Sequence, residues 1–210
     1  MSIFEVSIVH FILRQIESFF GGSEDFLDLH YCVQKVLNND LEFHRVKEWK
    51  DTPTLDVLNS IQYPIFLYKL SRELFLSGDV TGAKKIFYLN KVLHSIDLFY
   101  EIDLKKNFLL SHSVGSVFSK ATYGDFCVYY HGILVGKNND DRPTLNDGLV
   151  MFSGSKIVGN STVGKNVVVS AGTVIVDQNI PDNVYVFPGK GKKPVLKELE
   201  ENYTDRYFIK

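Results

Sequence analysis

Residues 145–180 decide the fold, and divided into sixes they read LNDGLV MFSGSK IVGNST VGKNVV VSAGTV IVDQNI. The first position of each six is apolar, and the fifth is small, β-branched or modest in size. A helix repeats every 3.6 residues and a strand every two, so neither alone sustains a period of six. A six-residue repeat is typical of a β-helix, in which each hexapeptide forms one short strand and one turn. We expect the first residue of each six to point into the core of a triangular prism.

The same period occurs upstream in a different phase. Its leading residues are Val117, Tyr123, Tyr129 and Val135. The two runs are offset by four positions, and the polar segment 137–143 between them contains a proline. This segment is predicted to leave the coil as a protruding loop. Loops on a rigid scaffold are where binding residues concentrate.

The first hundred residues have a helical pattern, and most of the glycines follow them. The last helix of this region is expected from about Val80 to Tyr100, and a charged helix from Pro194 through Glu201. The predicted fold class is α+β, with an N-terminal all-α helical domain followed by a parallel β-helix of hexapeptide repeats. The predicted domains are 1–100 (helical), 101–193 (β-helix) and 194–210 (C-terminal helix or tail).

Composition excludes some classes of partner. The formal net charge is −2, so no broad positive field is available for nucleic acid or an anionic membrane. The two cysteines, Cys32 and Cys127, lie far apart, which argues against a disulfide framework and indicates a reducing, cytoplasmic location. The apolar stretch 1–20 is interrupted by charged residues, so we expect neither a signal peptide nor a membrane span.

Several motifs resemble those of serine acetyltransferase, a hexapeptide-repeat acyltransferase. The motifs are Tyr63-Pro64, the Glu101–Leu104 segment, Ser111-His112-Ser113-Val114-Gly115, the segment 130–136, Asp140-Asp141-Arg142-Pro143, and the segment 153–160. The resemblance implies a left-handed parallel β-helix and a homotrimer. It also implies that acetyl-CoA binds in grooves between subunits.

The chemistry implied is acyl transfer from a thioester to a hydroxyl. An alcohol is a weak nucleophile at neutral pH, and an imidazole with an ordinary pKa of about 6.5 can remove its proton. The resemblance makes His112 this general base and Glu101 its carboxylate partner, with Asp103 as the alternative. The competing interpretation is that His112 only packs at a corner of the coil.

The acceptor half departs from the family pattern. Ser111 replaces an aspartate, and Arg142 stands where the family loop has a histidine. The sequence therefore favours an O-acetyltransferase acting on a sugar or surface-polysaccharide hydroxyl, with Ser111, His131, Asp141 and Arg142 as acceptor-binding residues. The alternatives are an L-serine acceptor, as in cysteine biosynthesis, or a trimeric scaffold that has lost catalysis.

The donor half would bind coenzyme A along the coil edge. Glycines allow an extended ligand to approach the backbone closely, and lysines can meet its phosphates. The residues predicted for this role are Gly136, Gly154, Ser155, Gly172, Lys190 and Lys192. The competing interpretation is that these glycines only turn corners and these lysines only solubilise a tail. No metal is expected, because His112 and His131 have no third ligand at a telling spacing.

Overall fold

The computed structural model describes residues 3–21, 26–191 and 193–210, with the side chains of residues 3–5 excepted. Four helices come first: α1 (Ile3–Phe20), α2 (Leu29–Asn39), α3 (Gln62–Leu76) and α4 (Val80–His94). Short 3-10 helices span Phe43–Arg45, Lys47–Trp49 and Tyr203–Arg206. The helices pack on one another, and α3 and α4 share the most extensive contact.

Fourteen short strands follow in the described part of the chain. They are β1 (Asp97–Leu98), β2 (Phe108–Leu110), β3 (Val117–Phe118), β4 (Cys127–Tyr129), β5 (Leu134–Gly136), β6 (Thr144–Leu145), β7 (Val150–Met151), β8 (Lys156–Val158), β9 (Thr162–Val163), β10 (Val167–Val169), β11 (Val174–Val176), β12 (Asn179–Ile180), β13 (Val184–Phe187) and β14 (Val195–Glu198).

The strands form the three faces of a prism. Sheet 1 has the order β1-β3-β5-β8-β11, sheet 2 the order β14-β13-β10-β7-β4-β2, and sheet 3 the order β12-β9-β6. All pairings are parallel except that of β13 with β14. The three coils that begin at β5, β8 and β11 each contribute one strand to each face, and successive coils stack on one another. The predicted fold class, helices followed by a parallel β-helix, is confirmed.

The hexapeptide pattern predicts the core of the β-helix correctly from Leu145 onward. All six leading residues there are at most 1% exposed. In the upstream run, Tyr123, Tyr129 and Val135 are also buried, but Val117 is 40% exposed and the prediction for it is wrong. Phe118 points inward instead and pairs with Val135 in the next coil, because that coil is 17 rather than 18 residues long.

One predicted helix end is wrong. The helix expected through Tyr100 ends at His94, because Ser95 has a left-handed backbone with φ 54°. Pairing with β3 then places Asp97 and Leu98 in the first coil. The division into domains 1–100, 101–193 and 194–210 stays a prediction.

The helix predicted from Pro194 through Glu201 is a strand, β14. The chain reverses after β13 near Gly191, whose φ is +70°, and β14 then pairs antiparallel with β13. Beyond it, Phe208 is 2% exposed and pairs with Val46 of the helical region. Within the described residues, no helix has both the length and the apolar character that crossing a membrane requires.

The inward and outward positions of one strand should differ sharply in their contribution to stability. We expect Ile157→Ala in β8 to lower the free energy of unfolding by about 2–5 kcal/mol, because it leaves a cavity in a closely packed interior. Lys156→Ala, exposed on the same strand, is the matched control and should change it by less than about 0.5 kcal/mol. Equilibrium urea unfolding measures both, and equal losses would contradict the assigned register.

Candidate functional site

The predicted site residues lie on two different edges of the prism. The His112 edge, where sheet 2 passes into sheet 1, comprises residues 111–116, 130–133, 152–155 and 170–173 and the described residues of the hairpin turn, 188–191 and 193–194. The Arg142 edge, where sheet 1 passes into sheet 3, comprises residues 99–106, 119–121, 137–143, 159–161 and 177–178. Sheet 1 separates the two edges within one chain.

His112 lies on an insertion in its edge. Six residues connect β2 to β3, whereas four connect β4 to β5, β7 to β8, and β10 to β11. Ser111 still continues the strand ladder, with its N–H donating to Tyr129 O (2.9 Å), so the two added residues lie between Ser111 and Gly115, on the exposed turn that carries His112. His112 is exposed and has a left-handed backbone with φ 51°. A non-glycine residue in this conformation carries strain, and such residues cluster at functional sites.

The other corners of the His112 edge form a regular column. Gly115, Gly132, Gly154 and Gly172 stack there, all with positive φ. The N–H of each lower glycine donates to a carbonyl of the preceding coil, as from Gly132 to Val114 O (2.9 Å) and from Gly154 to His131 O (2.9 Å). The column therefore leaves a narrow, side-chain-free strip of edge below His112.

Asp97, which the sequence motifs did not indicate, lies beside the end of the turn that carries His112. Its N–H donates to Ser116 O (2.9 Å), and the Gly115 N–H donates to Ser95 O (2.8 Å), so residues 95–97 run along the His112 turn. Because its neighbour Leu98 is buried, the Asp97 side chain is on the outer face of sheet 1. There its carboxylate pairs with Lys91 at 2.7 Å.

A sequence signal for Asp97 was present. The family has an Asp-Ile-His-Pro motif before its histidine, and pairing Glu101–Leu104 with that motif makes the segment up to His112 shorter than the family's. Matching it to Asp97-Leu98-Phe99-Tyr100 lengthens that segment by four residues. The mismatch in length was the signal.

Glu101 and Asp103 lie on the Arg142 edge, so the structure does not bring them to His112. Glu101 forms an ion pair with Lys120, and Asp103 pairs with Arg72 at 2.7 Å. The side chains of Glu101, Asp103, Lys120 and Arg142 line a cavity of about 320 Å³. The cavity thus presents carboxylates, a lysine and a free-standing guanidinium to one small volume.

Segment 137–143 is a short loop, as predicted. A bridge between Asn138 and Asp141 closes it, and the Asn138 side chain donates to Asp177 at 3.2 Å. Asp141 and Arg142 are both exposed. They lie on the Arg142 edge, across sheet 1 from His112, so a single chain does not bring these acceptor candidates together with the predicted base.

Several other candidates do share the His112 edge. His131 is exposed one coil below His112, and its Nδ1 lies 3.4 Å from Ser153 Oγ. Gly154 and Gly172 continue the column, and exposed Lys190 lies in the hairpin turn at its far end. Four strand spacings of about 4.8 Å separate the His112 corner from that turn, roughly 19 Å in all.

Three donor candidates fit less well. Ser155 is fully buried and its hydroxyl faces the core, so that hydroxyl cannot contact a ligand outside. Gly136 is buried at the Arg142 edge, away from the glycine column. Lys192 is outside the described residues. In the part of the chain that the structure describes, no three His, Cys, Asp or Glu side chains converge as a metal site would require.

Comparison with known sequences finds serine acetyltransferases. The chain is 28% identical to that of Synechococcus elongatus over 110 residues, which cover 49% of this chain and 45% of the relative. It is 24% identical to that of Staphylococcus epidermidis over 181 residues, covering 82% of this chain and 84% of the relative. The chain thus spans less than half of the cyanobacterial relative. No protein-family model matches it.

Solved structures of serine acetyltransferases share the fold. The enzyme of Neisseria gonorrhoeae superposes with a TM-score of 0.72 at 21% identity, covering 98% of this chain and 83% of that one. The Brucella abortus enzyme gives 0.69 at 19% identity, with 93% and 84% covered. A serine acetyltransferase in complex with CoA gives 0.65 at 16% identity, with 90% and 84% covered.

The strain at His112 predicts a measurable difference between two substitutions. Both His112→Gly and His112→Ala remove the imidazole, but only glycine adopts φ near +50° without penalty. We expect the glycine variant to be more stable to urea unfolding than the alanine variant by about 0.5–1.5 kcal/mol. Equal stability, or a more stable alanine variant, would show that the backbone at His112 is not left-handed.

The motifs, the parallel β-helix behind helices, and the relatives found agree with one another. The predicted resemblance is confirmed: in sequence and in fold, this chain is similar to serine acetyltransferases.

Proposed function

We propose that this protein is an acetyl-CoA-dependent O-acetyltransferase with L-serine as its acceptor. The observation that carries the proposal is His112, held on a two-residue insertion beside Asp97 at the edge of a serine-acetyltransferase-like β-helix. The relatives support this acceptor, which was the alternative in the sequence analysis. None of those described above supports a sugar acceptor or polysaccharide biosynthesis.

His112 acts as the general base. Its neutral imidazole takes the proton of the acceptor hydroxyl as that oxygen attacks the thioester carbonyl carbon. The carbon–sulfur bond then breaks, and the imidazolium returns the proton to the departing thiolate. A base of this kind contributes on the order of a hundred- to ten-thousand-fold to the rate.

Asp97 is the carboxylate that steadies the imidazolium, in place of the predicted Glu101. It is on the strand hydrogen-bonded to the His112 turn, whereas Glu101 and Asp103 are on the opposite edge. Its present partner Lys91 is a weak competitor, because both side chains are more than a third exposed and such pairs contribute about 0–1 kcal/mol.

The acceptor binds at the Arg142 edge. L-Serine carries an ammonium and a carboxylate, and the cavity there offers Glu101 and Asp103 to the first and Arg142 to the second. A neutral sugar would offer no counter-charge to Arg142, which forms no ion pair within the described residues. Glu101 and Asp103 are thus reassigned from catalysis to acceptor binding.

The site is completed by two chains of a homotrimer. Within one chain the width of sheet 1, two or three residues at about 3.3 Å each, keeps the Arg142 edge apart from His112. A three-fold axis places the Arg142 edge of one subunit against the His112 edge of the next, in a head-to-tail contact. The pantetheine arm of acetyl-CoA then lies along the glycine column, with its phosphates towards the 188–194 turn and Lys190.

The catalytic pair is tested by steady-state kinetics. We expect His112→Ala to lower kcat by about a hundred- to ten-thousand-fold, with acetyl-CoA affinity and fold unchanged. Asp97→Asn should lower kcat by at least about tenfold, because the imidazolium loses its counter-charge. Glu101→Gln is the matched control and should affect the KM for the acceptor more than kcat. A kcat loss confined to Glu101→Gln would reinstate the original partner.

The acceptor is tested by thiol release from acetyl-CoA against L-serine, nucleotide sugars and oligosaccharides. We expect release with L-serine, and Arg142→Gln should raise the KM for L-serine by about tenfold or more without changing that for acetyl-CoA. Release only with a sugar would establish the glycan enzyme. Coenzyme A binding without release on any acceptor would favour the inactive scaffold.

A further inference from the structure

A second polar cavity, separate from the one that Arg142 lines, lies on the helical side of the first coil. It has a volume of about 210 Å³ and forms where α2 and α3 meet residues 104–106 of the first coil. Four cationic and two acidic side chains line it: Lys35, Lys69, Arg72, Lys106, Asp40 and Glu73. None of these residues has a role in the proposed acyl transfer.

Two of the four cations are already neutralised. Lys35 pairs with Glu73 at 2.6 Å, and Arg72 pairs with Asp103 at 2.7 Å. Lys106 is only loosely paired, 4.0 Å from Glu42. The cavity therefore keeps positive charge on Lys106 and on the remaining cation.

Lys69 is that remaining cation, and it is partly buried. Its Nζ donates a long hydrogen bond to Lys106 O (3.4 Å) and lies 5.2 Å from the centre of the Phe108 ring. Among the described residues, no carboxylate forms an ion pair with it. Burial lowers the pKa of Lys69 to about 8, while Asp40 and Glu42 raise it and Lys106 lowers it. A desolvated charge without a counter-ion is unfavourable, so its retention needs an explanation.

The cavity is also rigidly built. The Tyr68 hydroxyl donates to Ile102 O (2.7 Å) and accepts from Leu104 N–H (3.0 Å). Arg72 Nη1 donates to Ile102 O at 3.1 Å as well. These bonds fix α3 against the first coil, so the ammonium group faces a preorganised space.

We propose that this cavity binds a small oxyanion, a carboxylate or a phosphate, between Lys69 and Lys106. The anion supplies the counter-charge that Lys69 lacks and joins α3 to the first coil. Asp40 lines the same cavity and repels multiply charged ligands, so the ligand carries a single negative charge at the contact. A carboxylate and a phosphate share this chemistry, and the probes below distinguish them.

Thermal unfolding of the full chain at pH 7 tests the proposal, with sodium acetate and inorganic phosphate as separate probes and sodium chloride at equal ionic strength as the reference. We expect a saturable rise in Tm for the native chain with at least one probe. Lys69→Met should lose that rise. Without anion, its Tm should equal or exceed that of the native chain, because a desolvated charge is gone.

Lys105→Gln is the matched control, since it removes the same charge from an exposed side chain outside the cavity and should keep the anion-induced rise. Phosphate bound at the His112 edge would raise the Tm of the native chain, Lys69→Met and Lys105→Gln equally. That result would contradict the proposal. So would a native chain that shows no saturable shift with either probe. If Lys69→Met does not fold, Lys106→Gln makes the same test and should weaken the anion affinity at least about threefold.

Discussion

The structure depends on one constraint, the stacking of each coil on the next through a parallel main-chain ladder. The ladder holds only if every coil sends one side chain inward per face at the same height. Ile157 is an example, flanked by Val135 and Ile175 in the adjacent strands. Strands held in register from coil to coil align the turns in columns, and these columns are the edges of the prism. Stacking of the coils alone therefore brings residues that are far apart in sequence next to one another along an edge.

The residues proposed to act in the reaction lie where the hexapeptide period is interrupted. The regular coils present a flat strip of glycine corners. This strip suits an extended ligand, but glycine supplies no reactive side chain. Two segments depart from the regular period: the turn 111–116, which is two residues longer than the turns below it and carries His112, and the loop 137–143. One supplies the proposed base and the other supplies Arg142. A scaffold this repetitive stays stable when a single corner or loop is enlarged, so the reactive groups sit on its irregular points.

The period predicted most of the β-helix, because inward positions are a local property of the sequence. From Leu145 onward every leading residue is buried as expected. The structure places Ser155, the fifth residue of its six, inside the coil, which conflicts with its predicted role in the donor site. The period failed at Val117, since a coil one residue short moves the inward position to Phe118 without any change in composition.

The missed features depend on contacts between distant residues. The segment around Val195 is charged and resembles a helix, yet pairing with β13 makes it a strand. Asp97 follows a helix in sequence, and its hydrogen bond to Ser116 places it beside the end of the turn that carries His112. The separation of His112 from Arg142 on opposite edges likewise requires the coil geometry. Neither the sequence around His112 nor that around Arg142 indicates by itself which edge of the prism it occupies.

The central claim, that the site is shared between the edges of two subunits, is tested most directly by mixing two impaired variants at an L-serine concentration well below the native KM. His112→Ala and Arg142→Gln would be co-expressed, and the serine-dependent activity of the mixed oligomers would be compared with that of each variant alone. We predict recovery towards roughly a quarter of native activity, because random mixing places an intact His112 edge against an intact Arg142 edge at about one interface in four. Mixed oligomers no more active than the single variants would contradict a shared site.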